Sequence, residues 1–142
     1  MTTVIAVTNQ KGGVGRTTTA VNLAYYLAKA GKRTLLIDFD PQGNATSGLG
    51  IDKQELAQTV VDVITQKTSL DQVVIATEHN NLWLVPTTPH LANAEVELAN
   101  AEQRFTRLRT AIEQSGIEYD IIIIDSPPSL SLLTVNGLIA AQ

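Results

Sequence analysis

Four short stretches of the chain are almost continuously apolar: Val4–Thr8, Thr34–Asp38, Leu82–Pro86 and Asp120–Asp125. None alternates, and an unbroken apolar run is how a strand of a parallel sheet covered on both faces reads. The segments between them have helical spacing. Thr17–Ala30 brings Val21, Ala24, Leu27 and Ala28 onto one face and stops at Gly31, a residue suited to a helix C-terminus. From His90 to Ser115, apolar residues recur at Leu91, Ala94, Leu98, Ala101, Phe105, Leu108 and Ile112. With only about three to four heptads, this spacing predicts one helix or two packed on the sheet rather than a coiled coil. Thr59–Thr65 and Ser69–Val73 read as short helices in a connecting region. Ser129–Ala141 reads as a last helix carrying Leu130, Leu133, Val135, Leu138 and Ile139. Strands alternating with helices predict an α/β fold: a parallel sheet of about four strands with helices on both faces.

Composition narrows this picture. A chain of 142 residues, 44% hydrophobic and 17% charged, can bury a core as one domain, and no linker or repeat divides residues 1–142. The absence of cysteine excludes a disulfide scaffold, a thiolate metal site and an iron–sulfur cluster. A net charge of −4 gives no general attraction to nucleic acid or to an anionic membrane. The longest aliphatic run, Ile121–Ile124, is too short to span a bilayer, and Met1–Val4 lacks a signal-peptide start. A cytoplasmic protein is expected.

Ligands of parallel sheets bind beyond the carboxyl ends of the strands, so the residues following each strand carry the chemistry. After the first comes Asn9-Gln10-Lys11-Gly12-Gly13-Val14-Gly15-Arg16-Thr17-Thr18, running into a helix. Three glycines in four residues expose consecutive backbone N–H groups, and the helix N-terminus behind them completes a cradle for phosphate oxygens. The common phosphate-loop pattern would need Gly at Gln10 and Lys at Arg16. A cation in a helix's first turn, as at Arg16, is unfavourable without a nearby anion. After the second strand comes Asp38-Phe39-Asp40-Pro41-Gln42-Gly43-Asn44, and after the fourth Asp125-Ser126-Pro127-Pro128. A single strand-end Asp commonly serves a turn or a cap. Phosphate-holding amides and acids on three loops of one edge are what a magnesium nucleotide needs.

With these loops the chain resembles the ParA/Soj-type partition ATPases, whose deviant Walker A motif is K-G-G-x-G-K-[ST]. Lys11, Gly12, Gly13, Gly15 and Thr17 match it, and Arg16 replaces its second lysine. The likeness extends over Asp38–Asn44, Pro86 with Leu91–Leu98, and Tyr119–Leu133; Asp-Phe-Asp-Pro-Gln-Gly-Asn is its most discriminating stretch. MinD-type ATPases share the first loop but differ after the second strand, and nitrogenase iron proteins use cysteines. The resemblance implies a P-loop-type sheet, ATP and Mg²⁺ as ligands, and an ATP-hydrolysing switch in plasmid or chromosome partition. It implies that Gly12, Gly13, Val14, Gly15, Arg16, Thr17 and Thr18 wrap the phosphates. Thr17 and Asp125 would serve the metal with Asp38 close by, and Asp40 would orient the hydrolytic water. Lys11 would reach the nucleotide of a partner subunit in an ATP-dependent homodimer. A protein that stimulates hydrolysis is also implied, as is DNA contact through a C-terminal half, with nucleoid association and no role for a membrane.

Two departures shape these expectations. A planar guanidinium does not take the place of a compact ammonium between phosphates, so Arg16 predicts that binding survives better than turnover. The alternative function is thus a nucleotide-binding module with impaired or absent hydrolysis. Relatives of this type are also longer, which predicts that the chain is the N-terminal part of a larger domain, a fragment or a truncated product. Their first four strands are ordered 3-2-4-1, which would leave Val4–Thr8 as an apolar edge. A third reading, a dinucleotide-binding Rossmann domain with Asp38 on the ribose, would need Gly or Ala where Thr18 stands. His79 and His90, isolated in polar surroundings, read as surface or capping residues, and Trp83 reads as core.

Overall fold

A computed structural model describes residues 2–7, 14–127 and 129–142; for 14–18 it describes the backbone alone. The strands are β1 (Thr3–Val7), β2 (Thr34–Asp38), β3 (Ile75–Ala76), β4 (Leu82–Val85) and β5 (Ile121–Asp125). The helices are α1 (Val14–Lys29), α2 (Asn44–Gly48), α3 (Val60–Ile64), α4 (Leu70–Val73), α5 (Leu91–Glu97), α6 (Arg107–Glu113) and α7 (Leu132–Ala140). Single 3-10 turns stand at Lys53–Glu55 and Leu98–Asn100.

The sheet order is β1-β5-β2-β4-β3. All pairings are parallel except β3 with β4. The four long strands therefore follow the order expected of them, with β1 at one edge. A fifth strand joins at the other edge. Two residues, Ile75–Ala76, are too few to produce a sequence period, so the expectation of about four strands falls one short.

Both faces of the sheet are covered, which is why its strands read as unbroken apolar runs. On one face Leu36, Leu82, Leu84 and Ile123 pack against Ala20, Ala24 and Ala28 of α1. Alanines four apart form a flat stripe that brings helix and sheet close. On the other face Leu35, Ile37, Val85, Ile122 and Ile124 pack with Val60 and Ile64 of α3, Leu91 of α5, Leu108 of α6 and Leu133 of α7. Strand residues alternate between the two cores with the pleat. The central strand β2 is buried along its whole length, whereas β1 is only partly covered.

Two helices, α1 and α7, differ from expectation at their boundaries. Helix α1 begins at Val14, three residues before Thr17, so its first turn includes Gly15 and Arg16. The His90–Ser115 stretch forms two helices. Between them Ala101–Thr106 turns, with Gln103 at φ 57, and Phe105 is displaced outward to 40% exposure beneath the Arg104 guanidinium. Helix α7 starts at Leu132 rather than Ser129, with Ser131 at its cap, and leaves Leu130 87% exposed. The short helices fall where expected, capped by Thr59 and preceded by Ser69; Thr59 and Asp62 form a reciprocal capping box. Trp83 is half-buried, edge-to-face with Tyr119, and exposed His79 meets Tyr25 in the same way. His90 occupies the N-cap of α5 without a side-chain capping bond. Among the described residues no helix is long and apolar enough to cross a membrane.

Candidate functional site

Register brings three strand ends together. Val7 is the partner of Asp125 across β1 and β5, and Asp125 is the partner of Asp38 across β5 and β2. Adjacent strands lie about 4.8 Å apart, so these three strand ends form one continuous row. Backbone bonds extend the row by one step, with Ser126 N donating to Val7 O at 3.1 Å and Phe39 N to Asp125 O at 3.0 Å. The strand ends at Val7, Asp125 and Asp38 thus lie side by side at one edge.

Asp38 is fully buried. Its Oδ2 accepts from the Thr46 hydroxyl at 2.6 Å and from the Thr46 backbone N–H at 2.8 Å, while its Oδ1 accepts from Asp40 N at 3.3 Å. Burial pushes its pKa up to about 6; the hydrogen bonds from Thr46 and Asp40 oppose that push, and the neighbouring charge of Asp40 adds to it. The carboxylate closes residues 38–46 into a compact loop. Within it Asp40, 2% exposed, accepts from Gln42 N at 3.0 Å, and its carbonyl accepts from Gly43 N at 2.8 Å. Gly43 sits at φ 65 as the N-cap of α2, a left-handed conformation that disfavours other residues. Lys53 Nζ donates to Gln42 O at 2.8 Å across the outside of this turn.

Asp125 is also fully buried. The segment after it is tied to α7, with Thr134 Oγ1 donating to Pro127 O at 3.3 Å and to Ser129 O, and α7 is tied to α5, with Leu133 N donating to Glu95 Oε2 at 3.1 Å. Helix and strand end approach closely here, since a Cβ on Gly137 would lie 2.5 Å from Ser126 Oγ. Farther along α7, buried Asn136 accepts from Leu108 N at 3.3 Å and donates to Arg104 O at 2.8 Å and Leu132 O at 2.9 Å.

Of the residues singled out by sequence, Asp38 and Asp125 are brought side by side, and Asp40 stands two residues past Asp38. Lys11, Gly12, Gly13 and Pro128 lie outside the described residues. Val14, Gly15, Arg16, Thr17 and Thr18 form the first turns of α1, and their side chains also lie outside the description. Thr46 and Thr87 escaped sequence reasoning. Both are fully buried beside the acidic row, but neither belongs to a strand-end motif or a periodic stripe.

The donor chemistry fits a hard, oxygen-seeking cation held mostly by phosphate and water. Mg²⁺ is commonly bound through one or two carboxylates together with substrate phosphates. Carboxylates at Asp125 and Asp38 suit that arrangement, and among the described residues no group of three or more His, Asp or Glu could cage a metal unaided.

Comparisons with known proteins find a family, curated relatives and solved structures. The family described as AAA domain matches residues 2–142. The chain is 52% identical over 139 residues to the sporulation initiation inhibitor protein Soj of Bacillus subtilis, covering 98% of this chain and 55% of Soj. It is likewise 52% identical over 139 residues to the chromosome partitioning protein ParA of Myxococcus xanthus, covering 98% of this chain and 49% of ParA. It therefore spans about half the length of these curated relatives. Among solved structures, cobyrinic acid a,c-diamide synthase from Mycobacterium smegmatis, with a bound ATP analog and magnesium, superposes with a TM-score of 0.95 at 40% identity. That match covers 99% of this chain and 57% of the synthase.

Proposed function

This chain belongs to the AAA domain family, and on that premise we propose that it is the nucleotide-binding portion of a ParA/Soj-type partition ATPase, an ATP-driven switch in plasmid or chromosome segregation. The observation that carries the reading is the row Val7, Asp125, Asp38, which sets two carboxylates in line with the end of the strand that the glycine-rich motif follows in sequence.

The roles divide accordingly. The amides of Gly12, Gly13, Val14, Gly15, Arg16, Thr17 and Thr18 hold the phosphates, with the Arg16 guanidinium adding charge. The Thr17 hydroxyl and Asp125 serve Mg²⁺, with Asp38 beside them, and Asp40 orients the attacking water. When bound, Mg²⁺ neutralises charge on the transferring phosphoryl group. Lys11 reaches across an ATP-dependent homodimer to the partner's nucleotide. A second protein stimulates hydrolysis, and DNA is contacted by the part of the longer relatives that this chain does not span. The expected compartment is the cytoplasm, with nucleoid association following from the DNA contact.

Arg16 favours a second reading, a nucleotide-binding module that holds ATP without turning it over. Calorimetric titration with ATP and ADP, with and without Mg²⁺, followed by phosphate-release assays, separates the two. Mg-dependent release supports the ATPase, and tight binding without release supports the static site. No binding at all overturns both.

A further inference from the structure

We propose that Thr46 is a positioning residue that acts through Asp38 to hold Asp40 where it can orient water. The inference rests on the role given to Asp40 under the proposed function, and it adds a residue that no strand-end motif contains.

The Thr46 side chain is completely buried and its hydroxyl is used twice. It donates to Asp38 Oδ2 at 2.6 Å and accepts from Thr87 N at 3.2 Å. A hydroxyl whose proton and lone pair are both engaged cannot rotate without breaking a bond. Three pieces of chain meet at this one oxygen: the end of β2, the first turn of α2, and the segment just past β4. Asp38 then carries the constraint onward, because its second oxygen accepts from Asp40 N. Asp40 is held from the other side by Gly43 N on its carbonyl. The hydroxyl of Thr46 therefore fixes one end of a short relay whose other end is the backbone of Asp40.

Packing alone would not require a hydroxyl. Valine has nearly the same shape, and its backbone N–H would still reach Asp38. What it lacks is the second donor to Asp38 and the acceptor for Thr87 N, so two buried polar groups would each lose a partner. Serine retains both functions. The contrast between valine and serine at this position isolates the hydroxyl.

The test compares wild type, Thr46→Ser and Thr46→Val in the 142-residue chain. Backbone amide exchange is measured without nucleotide, and ATP hydrolysis is measured with Mg²⁺. In Thr46→Val, exchange at Asp40 and Thr87 should accelerate about tenfold or more, the scale of one unsatisfied buried group. Exchange at Leu36 and Ile123 should remain unchanged, kcat should fall by a similar factor with KM little altered, and Thr46→Ser should restore both. Uniform acceleration through β2 and β5 overturns the proposal, since it marks a residue that only supports the fold. Unchanged exchange at Asp40, or local loosening with kcat unchanged, overturns it as well. If wild type does not hydrolyse ATP, the catalytic role of Asp40 fails, and exchange at Asp40 alone then decides whether Thr46 positions it. Should Thr46→Val not fold, Thr46→Cys, with a weakly donating thiol of similar size, takes its place.

Discussion

Asp38 and Asp125 are register partners on neighbouring parallel strands, both fully buried at the carboxyl ends of β2 and β5. On the proposed reading, this pair stands where a cation accompanying phosphate would bind.

The first expectation concerns the metal. Asp125→Asn keeps the shape of the side chain and removes its charge. Affinity for ATP in the presence of Mg²⁺ should drop about ten- to a hundredfold, the usual cost of disturbing a metal-orienting group. Affinity without Mg²⁺ should stay the same. Calorimetry with and without the metal reads both, and equal losses in the two conditions would remove Asp125 from the metal site.

Asp40→Ala separates binding from turnover. Loss of a positioned carboxylate at the attacking water should lower phosphate release by about a hundredfold or more while ATP affinity is retained. A variant that hydrolyses at the wild-type rate would assign Asp40 to the loop's architecture alone.

Arg16 is the chain's main chemical departure from the motif it resembles. Arg16→Lys should raise ATP turnover about ten- to a hundredfold, since small displacements of a phosphate-binding charge have effects of that size. Identical rates for the two proteins would mean that the guanidinium serves the transferring phosphate as well as an ammonium does.

Tyr119 gives a pH signature away from the site. Burial, with the charge of Asp71 nearby, raises its pKa from 10.0 to about 12. The chain has three tyrosines, and the other two, Tyr25 and Tyr26, are not fully buried. Tyrosinate absorbance should show a component near pH 12 that is absent from Tyr119→Phe. The raised folded pKa means that the stability associated with the neutral phenol is present below about pH 10 and lost as pH rises toward 12. Wild type and Tyr119→Phe should accordingly differ most in their alkaline unfolding.

Asn136 ties α7 to α6 and to the turn before it. Asn136→Ala leaves Leu108 N and Arg104 O buried without this partner, and should cost about 2–4 kcal/mol. For a domain of this size the melting temperature should fall by roughly 5–12 °C. A shift under about 2 °C would show that the neighbouring backbone finds other partners.

How much of this could be read beforehand follows from where the physical signal resides. Strands covered on both faces announce themselves as unbroken apolar runs, so β2, β4 and β5 were legible to within a residue. The start of α1 was not, because Val14 and Gly15 look like loop until the backbone is seen to be helical there. The break after Leu98 was hidden because Ala101 and Phe105 continue the helical spacing through a turn. At the site, Asp38 and Asp125 were legible as strand-end acids. Thr46 was not, since its importance comes from tertiary hydrogen bonds to Asp38 and Thr87 that leave no periodic trace.

The motif proposed to hold phosphate follows β1 in sequence, and β1 is an outermost strand joined to the rest through a single five-residue ladder with β5. On the proposed reading, a bound nucleotide adds support to an edge strand that has one neighbour in the sheet. Nucleotide occupancy and edge cohesion then become one equilibrium: a ligand at about a hundred times its dissociation constant adds about 2.7 kcal/mol to stability. On that reading the melting curve of the chain becomes a gauge of its own occupancy.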